Sequence, residues 1–220
     1  MKRRQKLSLL FTFVLFASAT TSFSQTLKEF FNDRSTELTY LGIDYTKNLF
    51  IKNPSINTTD IKDRLYNSMN QLVLAEQGSK NYDIGSAFGR KNAIHIDINA
   101  VTLNNEKMDS LNIVSTHKSD FKRLKETDIA NCVEALPLEN KEGIGLVFIM
   151  EGMKKISGKG YGSVWITLID MKTKTVLMTE RMEREAEGFG FRNYWVSVIR
   201  KTIMEIDWSK FKEWKRKYTR

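Results

Sequence analysis

Residues able to do chemistry are thinly spread along this 220-residue chain, which has one cysteine, Cys132, and two histidines, His95 and His117. A lone cysteine excludes a cysteine zinc cluster and an intramolecular disulfide. A catalytic zinc needs three converging ligands. His95 and Asp97 alternate onto one face of a strand, but no His-Glu-x-x-His spacing accompanies them. Paired carboxylates can hydrolyse a glycosidic bond. Asp44, Glu151 and Asp170 are candidates, yet nothing in their spacing selects a pair. A phosphate loop requires Gly, four residues, then Gly-Lys-Ser/Thr. Here five residues separate Gly152 from Gly158-Lys159, and Gly160 stands where the hydroxyl belongs. That run reads as the connection of a hairpin. No Gly-x-Ser-x-Gly elbow is present. The expectation is a chain with no cofactor, no metal and no catalytic residue that sequence alone identifies.

Two runs remain that suit binding. The first is 188–195, Gly-Phe-Gly-Phe-Arg-Asn-Tyr-Trp. Gly188 and Gly190 permit close backbone approach, Asn193 can cap a following helix, and Arg192 adds charge beside its amides. The preferred reading is a structural turn in which Phe189, Phe191, Tyr194 and Trp195 pack at the edge of the core as a staple. The second run is 208–220. Trp208, Phe211, Trp214 and Tyr218 recur at spacings of 3, 3 and 4, with Lys210, Lys212, Lys215, Arg216 and Lys217 between them. This is a basic amphipathic helix, suited to an anionic membrane surface or an acidic polymer, or to docking by its aromatics.

The N-terminus addresses the chain. Lys2, Arg3, Arg4 and Lys6 precede an apolar run over 7–19, followed by small polar residues. That is the layout of a secretory signal peptide, with an apolar run too short to span a bilayer. Cleavage is expected after Ser24, with Ala19 the alternative. No cysteine follows to accept a lipid. Removing residues 1–24 lowers the net charge from +9 to +5, and 208–220 alone carries six cations against Glu213. The body between is balanced, so nucleic acid is not an expected partner.

The positioning elements follow from periodicity. Residues 38–45 read as a strand, extended after a bend at Lys47-Asn48. Ile61, Leu65, Met69, Leu72 and Val73 mark a helix capped by Thr59 or Asp60 and stopped at Gly78. A short helix or turn is expected over 82–90. Alternation over 93–102 predicts a half-buried strand. Cys132 sits on the apolar stripe of a helix that Thr127 or Asp128 can cap, which reads as burial rather than reactivity. Strands over 145–151, 161–170 and 175–182 make an antiparallel meander. The middle one is apolar on both faces and therefore central. A long helix from about Asn193 carries Val196, Ile199, Ile203 and Ile206. The fold class is α/β (α+β): a single mixed sheet of about five strands flanked by helices, over 25–207, with 208–220 as a helical extension.

The run Val164-Trp165-Ile166-Thr167-Leu168-Ile169-Asp170, the turn Lys172-Thr173-Lys174 and then Val176-Leu177 resemble a strand-turn-strand signature. It is similar to that of bacterial envelope proteins related to the curli secretion factor and the lipoprotein activators of penicillin-binding proteins. The resemblance covers roughly the last third of the chain and implies a mixed sheet flanked by helices. The lipoprotein cysteine of those proteins is missing here. Residues 39–44, Thr-Tyr-Leu-Gly-Ile-Asp, and 188–195 resemble motifs of secreted proteins from Gram-negative anaerobes. That resemblance spans most of the mature chain, implies no activity and carries over no catalytic residue.

The functional expectation is an exported, non-enzymatic domain that binds an envelope protein, an acidic polymer or an anionic membrane surface. The alternative is a small hydrolase using carboxylates near the sheet. Export makes a direct prediction. Protein recovered from the periplasm or medium of a Gram-negative host begins at Gln25 by N-terminal sequencing, and a start at Met1 refutes the signal.

Overall fold

A computed structural model describes residues 26–53, 55–79 and 81–220. The expected signal peptide, residues 1–24, lies outside them. The elements in chain order are α1 (26–32), β1 (Leu38–Asp44), β2 (Leu49–Ile51), α2 (Thr58–Asp60), a π-helical turn (Ile61–Leu65) and α3 (Tyr66–Ala75). Next come α4 (Ile84–Ala87), β3 (Ile94–Ile96), α5 (Asn99–Glu106), β4 (Val114–Ser115) and α6 (Glu126–Glu134). Three long strands follow: β5 (Ile144–Ile156), β6 (Lys159–Asp170) and β7 (Thr175–Ala186). The chain closes with α7 (Phe191–Glu205), a second π turn (Ile206–Lys210) and α8 (Phe211–Tyr218).

The sheet is mixed, as the sequence predicts. β5, β6 and β7 form the antiparallel meander. On the other edge of β5 lie β1 and β2, end to end and both parallel to it. Outside them lie β3 on β1 and β4 on β2, again parallel. Among the described residues seven strands thus make five ranks, and the two ranks beyond β5 on this side are each split into two pieces.

Strand alternation divides the core in two. Val164, Ile166 and Leu168 of β6 face the larger cluster, with Tyr40, Phe148, Met69, Val196 and Trp214. Trp165 and Ile169 face the smaller one, with Ala100 and Val101 of α5 and Ile129, Cys132 and Val133 of α6. Helices therefore cover both faces of the sheet. Each fully buried Val, Ile or Leu here contributes roughly 1.5–3 kcal/mol relative to exposure. Gly162 sets the spacing of one layer: a Cβ there would lie 2.8 Å from both Cγ atoms of Val198 on α7.

The predicted strand over 93–102 is corrected. It ends at Ile96, and α5 begins at Asn99. The alternation of Ile94, Ile96 and Ile98 is real, but the pairing with β1 ends where the Asp97 amide donates to the Tyr40 carbonyl at 3.0 Å. Beyond that point the chain turns under the sheet, where Ala100 and Val101 are buried and Asn104 and Asn105 reach β1. Helix starts also differ. Asn57, not Thr59 or Asp60, caps α2, its side chain accepting from the Asp60 amide at 3.0 Å. Lys125, not Thr127 or Asp128, occupies the N-cap position of α6, and the Asp128 carboxylate accepts from its amide at 2.8 Å.

Where β3 has ended, the outer edge of β1 is paired by side chains. Asn70 on α3 accepts from the Ile43 amide at 2.7 Å and donates to the Ile43 carbonyl at 3.0 Å. Asn105 on α5 donates to the same carbonyl at 3.0 Å and accepts from the Tyr45 amide at 2.8 Å. A buried backbone group left unpaired costs about 1–3 kcal/mol. Asn70→Ala orphans the Ile43 amide and opens space beside it. The expected result is a loss of about 2–4 kcal/mol in urea unfolding, with an unchanged denaturant slope.

Candidate functional site

The run over 188–195 forms the connection from β7 into α7. Gly188 and Gly190 have φ of 110° and 75°, the left-handed region that glycine enters without strain. A Cβ at Gly190 would meet nothing within 4 Å, so backbone conformation, not close approach, selects glycine there. The helix begins at Phe191 with Gly190 as N-cap, and no side chain caps it. Asn193 therefore lies inside the first turn, a correction to its expected capping role. Its Oδ1 accepts from Arg192 Nε at 3.1 Å.

Three of the four aromatics in this run pack. Trp195 is buried, its ring 5.9 Å from Phe50, and Phe191 meets Phe50 at 5.7 Å. The Tyr194 hydroxyl accepts from the Gly160 amide at 2.6 Å. Phe189 is left 94% exposed.

Across from Phe189 lies the N-terminal part of the helical run from α2 to α3. A groove of about 490 Å³ separates them, walled by Ile56, Ile61 and Leu65 on one side and Phe189 and Phe191 on the other. Its polar rim holds Arg192, Asn193 and the pair Asp60–Arg64, joined by two hydrogen bonds of 2.7 Å. The hydrogen bonds from Arg64 hold the Asp60 carboxyl below its usual value. A second hollow, of about 510 Å³, lies on the other side of Arg192 and Asn193, with Tyr82, Glu187 and Arg200 in its wall. Among the described residues, no carboxylate lies within ion-pair distance of Arg192. The facing wall of the groove escaped sequence reasoning, because Ile61 and Leu65 carry only the signal of an ordinary core stripe.

The basic run lies elsewhere. Along the continuous helix Arg192 and Arg216 are roughly 36 Å apart. Three of its aromatics face inward. Trp214 is buried and donates to Glu180 Oε2 at 2.6 Å. Phe211 and Tyr218 lie 5.5 and 5.7 Å from the Phe31 ring. Trp208 does not join them and is 81% exposed. Its spacing suits an unbroken α-helix, but the π turn at Ile206–Lys210 takes an extra residue to come round. The core stripe consequently steps from Ile206 to Phe211, and Trp208 is left outside. Lys210 is engaged by Glu180 and Glu213, each at 2.9 Å, and those hydrogen bonds raise its pKa. Lys212, Arg216 and Lys217 are exposed and Lys215 is half-buried. The Lys217 ammonium lies 4.9 Å from the Tyr218 ring centre.

The candidate hydrolytic carboxylates serve the scaffold. Asp44 is fully buried, accepting from the Thr46 amide at 2.7 Å and from Asn104 Nδ2 at 3.2 Å. Glu151 is the extra residue of a bulge in β5 and is also fully buried. It accepts from the Leu124 amide at 2.5 Å, Ser163 Oγ at 2.9 Å and Trp165 Nε1 at 3.1 Å, with Arg181 3.9 Å away. Asp170 holds its turn through the Thr173 amide at 2.9 Å. His95 faces Glu37 at 3.2 Å and Asp97 pairs with Lys141. Among the described residues, no group of three or more His, Cys, Asp and Glu side chains is placed to hold a metal ion. Cys132 is buried, which pushes its thiol up to about 12.

No protein-family model and no curated protein matches the sequence. Among solved structures, a PelC dodecamer from Paraburkholderia phytofirmans is similar at a TM-score of 0.35 and 10% identity, covering 81% of this chain and 90% of that one. A Helicobacter pylori structure described as a neuraminyllactose-binding hemagglutinin homolog is similar at 0.32 and 8%, covering 85% and 87%. Similarity at this level establishes no shared activity.

Burial raises the Asp44 pKa above 3.8, so the folded state binds its proton more tightly than the unfolded chain does. The stability contributed by the protonated carboxyl is complete below that value and is lost as pH rises through the folded pKa. Asp44→Asn does not titrate. Urea midpoints should therefore show wild type losing ground to Asp44→Asn between acidic and neutral pH, and a constant difference refutes the shift.

Proposed function

We propose that this chain is an exported, non-enzymatic domain that binds another component of the cell envelope, and that the groove beside Phe189 is its binding surface. Export rests on the charge-apolar-small order of residues 1–24. Among the described residues no helix is long and apolar enough to cross a membrane.

The observation that carries the reading is the composition of the groove. It offers apolar walls, an exposed phenyl ring and the Arg192 guanidinium, while its carboxylate, Asp60, is tied to Arg64. A hydrolase needs two converging carboxylates with room for substrate between them. Asp44 and Glu151 are instead enclosed and hydrogen-bonded by the fold. A large exposed aromatic beside an arginine is the composition of a recognition surface.

The test immobilises the chain from Gln25 onward and passes solubilised envelope over it. Wild type should retain a component that Phe189→Ser/Arg192→Gln retains about tenfold less, with circular dichroism unchanged. Equal retention by the double variant, or none by wild type, overturns the assignment.

A further inference from the structure

The exposed side of the C-terminal helix carries a strip that the core does not use. Met204 is 49% exposed and Trp208 81% exposed. Lys212 and Arg216 continue the same line at four-residue steps, and Lys215 lies beside them. The opposite side of the same helix is committed: Ile203, Ile206 and Trp214 are buried. Trp165, Trp195 and Trp214 are all less than a tenth exposed, which sets Trp208 apart from the chain's other indoles.

The charges of the strip are unspent. Glu213 is held by Lys210, and Lys210 is shared with Glu180. Among the described residues Lys212, Lys215 and Arg216 have no carboxylate within ion-pair distance. Asp207 is the one acid beside Trp208 in sequence.

We propose that this strip seats the domain on an anionic lipid surface, with the helix lying along the membrane and Trp208 entering the headgroup region. Two complementary chemistries converge on one line. Indole rings partition to the boundary between headgroups and acyl chains. Lysine and arginine beside them are attracted by anionic headgroups. An acidic polymer satisfies the cations but gives no apolar layer to Met204 and Trp208, so lipid is the occupant that uses every member of the strip. The inference goes beyond the binding reading, because the strip is a separate surface from the Phe189 groove. A peripheral contact of this kind orients that groove relative to the membrane without inserting any helix through it.

The test uses the chain from Gln25 onward, which holds every described element of the fold, with vesicles of phosphatidylglycerol and phosphatidylcholine. The protein should sediment with them at low salt, fail to sediment with pure phosphatidylcholine, and be released by about 0.5 M salt. Because the other three indoles are already buried, a blue shift of tryptophan emission on binding reports Trp208. Lys212→Gln and Arg216→Gln should each weaken binding about fivefold. Trp208→Ser should weaken it and abolish the blue shift. Leu103→Ser, an exposed site on α5 in the opposite helical layer, should change nothing. No sedimentation at low salt overturns the proposal, as does equal binding to neutral vesicles. Unchanged binding by the strip variants overturns it too. Capture of soluble polyphosphate without vesicle binding replaces lipid with a polyanion.

Discussion

One residue of β1, Ile43, ties the two helical layers together. Among the described residues no strand neighbours the outer edge of β1 past Tyr40, and an unpaired buried edge is intolerable in a folded core. Asn70 comes from α3 in the larger layer and Asn105 from α5 in the smaller, and both close on Ile43. Two amide side chains thus do the work of a missing strand. The consequences spread outward. α5 must turn under the sheet for Asn105 to arrive, which ends β3 at Ile96. α3 must keep Asn70 in phase with Met69 and Val73, which the π turn at Ile61–Leu65 permits by absorbing one residue. That same turn forms one wall of the groove.

A second clamp fixes the N-terminal side. Arg90 is buried, with no carboxylate paired to it among the described residues. It donates to the carbonyls of Phe30, Asp33, Thr36 and Phe88, and its guanidinium lies 3.5 Å from the Phe30 ring centre. The Phe30 and Asp33 carbonyls belong to the end of α1 and the residues just past it, groups that a helix leaves unsatisfied. Burial lowers the Arg90 pKa to about 10, still charged at neutral pH. Both clamps follow one rule: where the backbone has exhausted regular partners, a side chain with several donors or acceptors is brought in.

What was legible in the sequence was what alternates or recurs against a single partner. β6 reads correctly because both its faces meet apolar layers, and the meander follows from the turns on either side. The helix stripe of Val196, Ile199, Ile203 and Ile206 is equally plain. Ile94, Ile96 and Ile98 mislead because alternation describes side chains, whereas strand length is set by whether a neighbour exists to pair with. Asn193 misleads because a cap depends on where the backbone turns, and the positive φ of Gly190 placed that turn three residues earlier. For the candidate site, the loop from Gly188 to Asn193 could be read but its facing wall could not. Nothing in residues 56–65 says that they will lie opposite a segment more than a hundred residues away.

The terminal helix also carries a phase. Up to the first residue of the π turn its inward line runs through Ile203 and Ile206; after the turn the line runs through Phe211, Trp214 and Tyr218. An α-helix advances about 100° for each residue. Loss of a single residue between 206 and 210 would therefore rotate everything beyond by that angle. Trp214 would leave its cavity and its bond to Glu180, while lysine stems swung toward the core. The outward strip and the inward anchor are thus two readings of one angular offset, and the chain can keep both only while that one extra residue is kept.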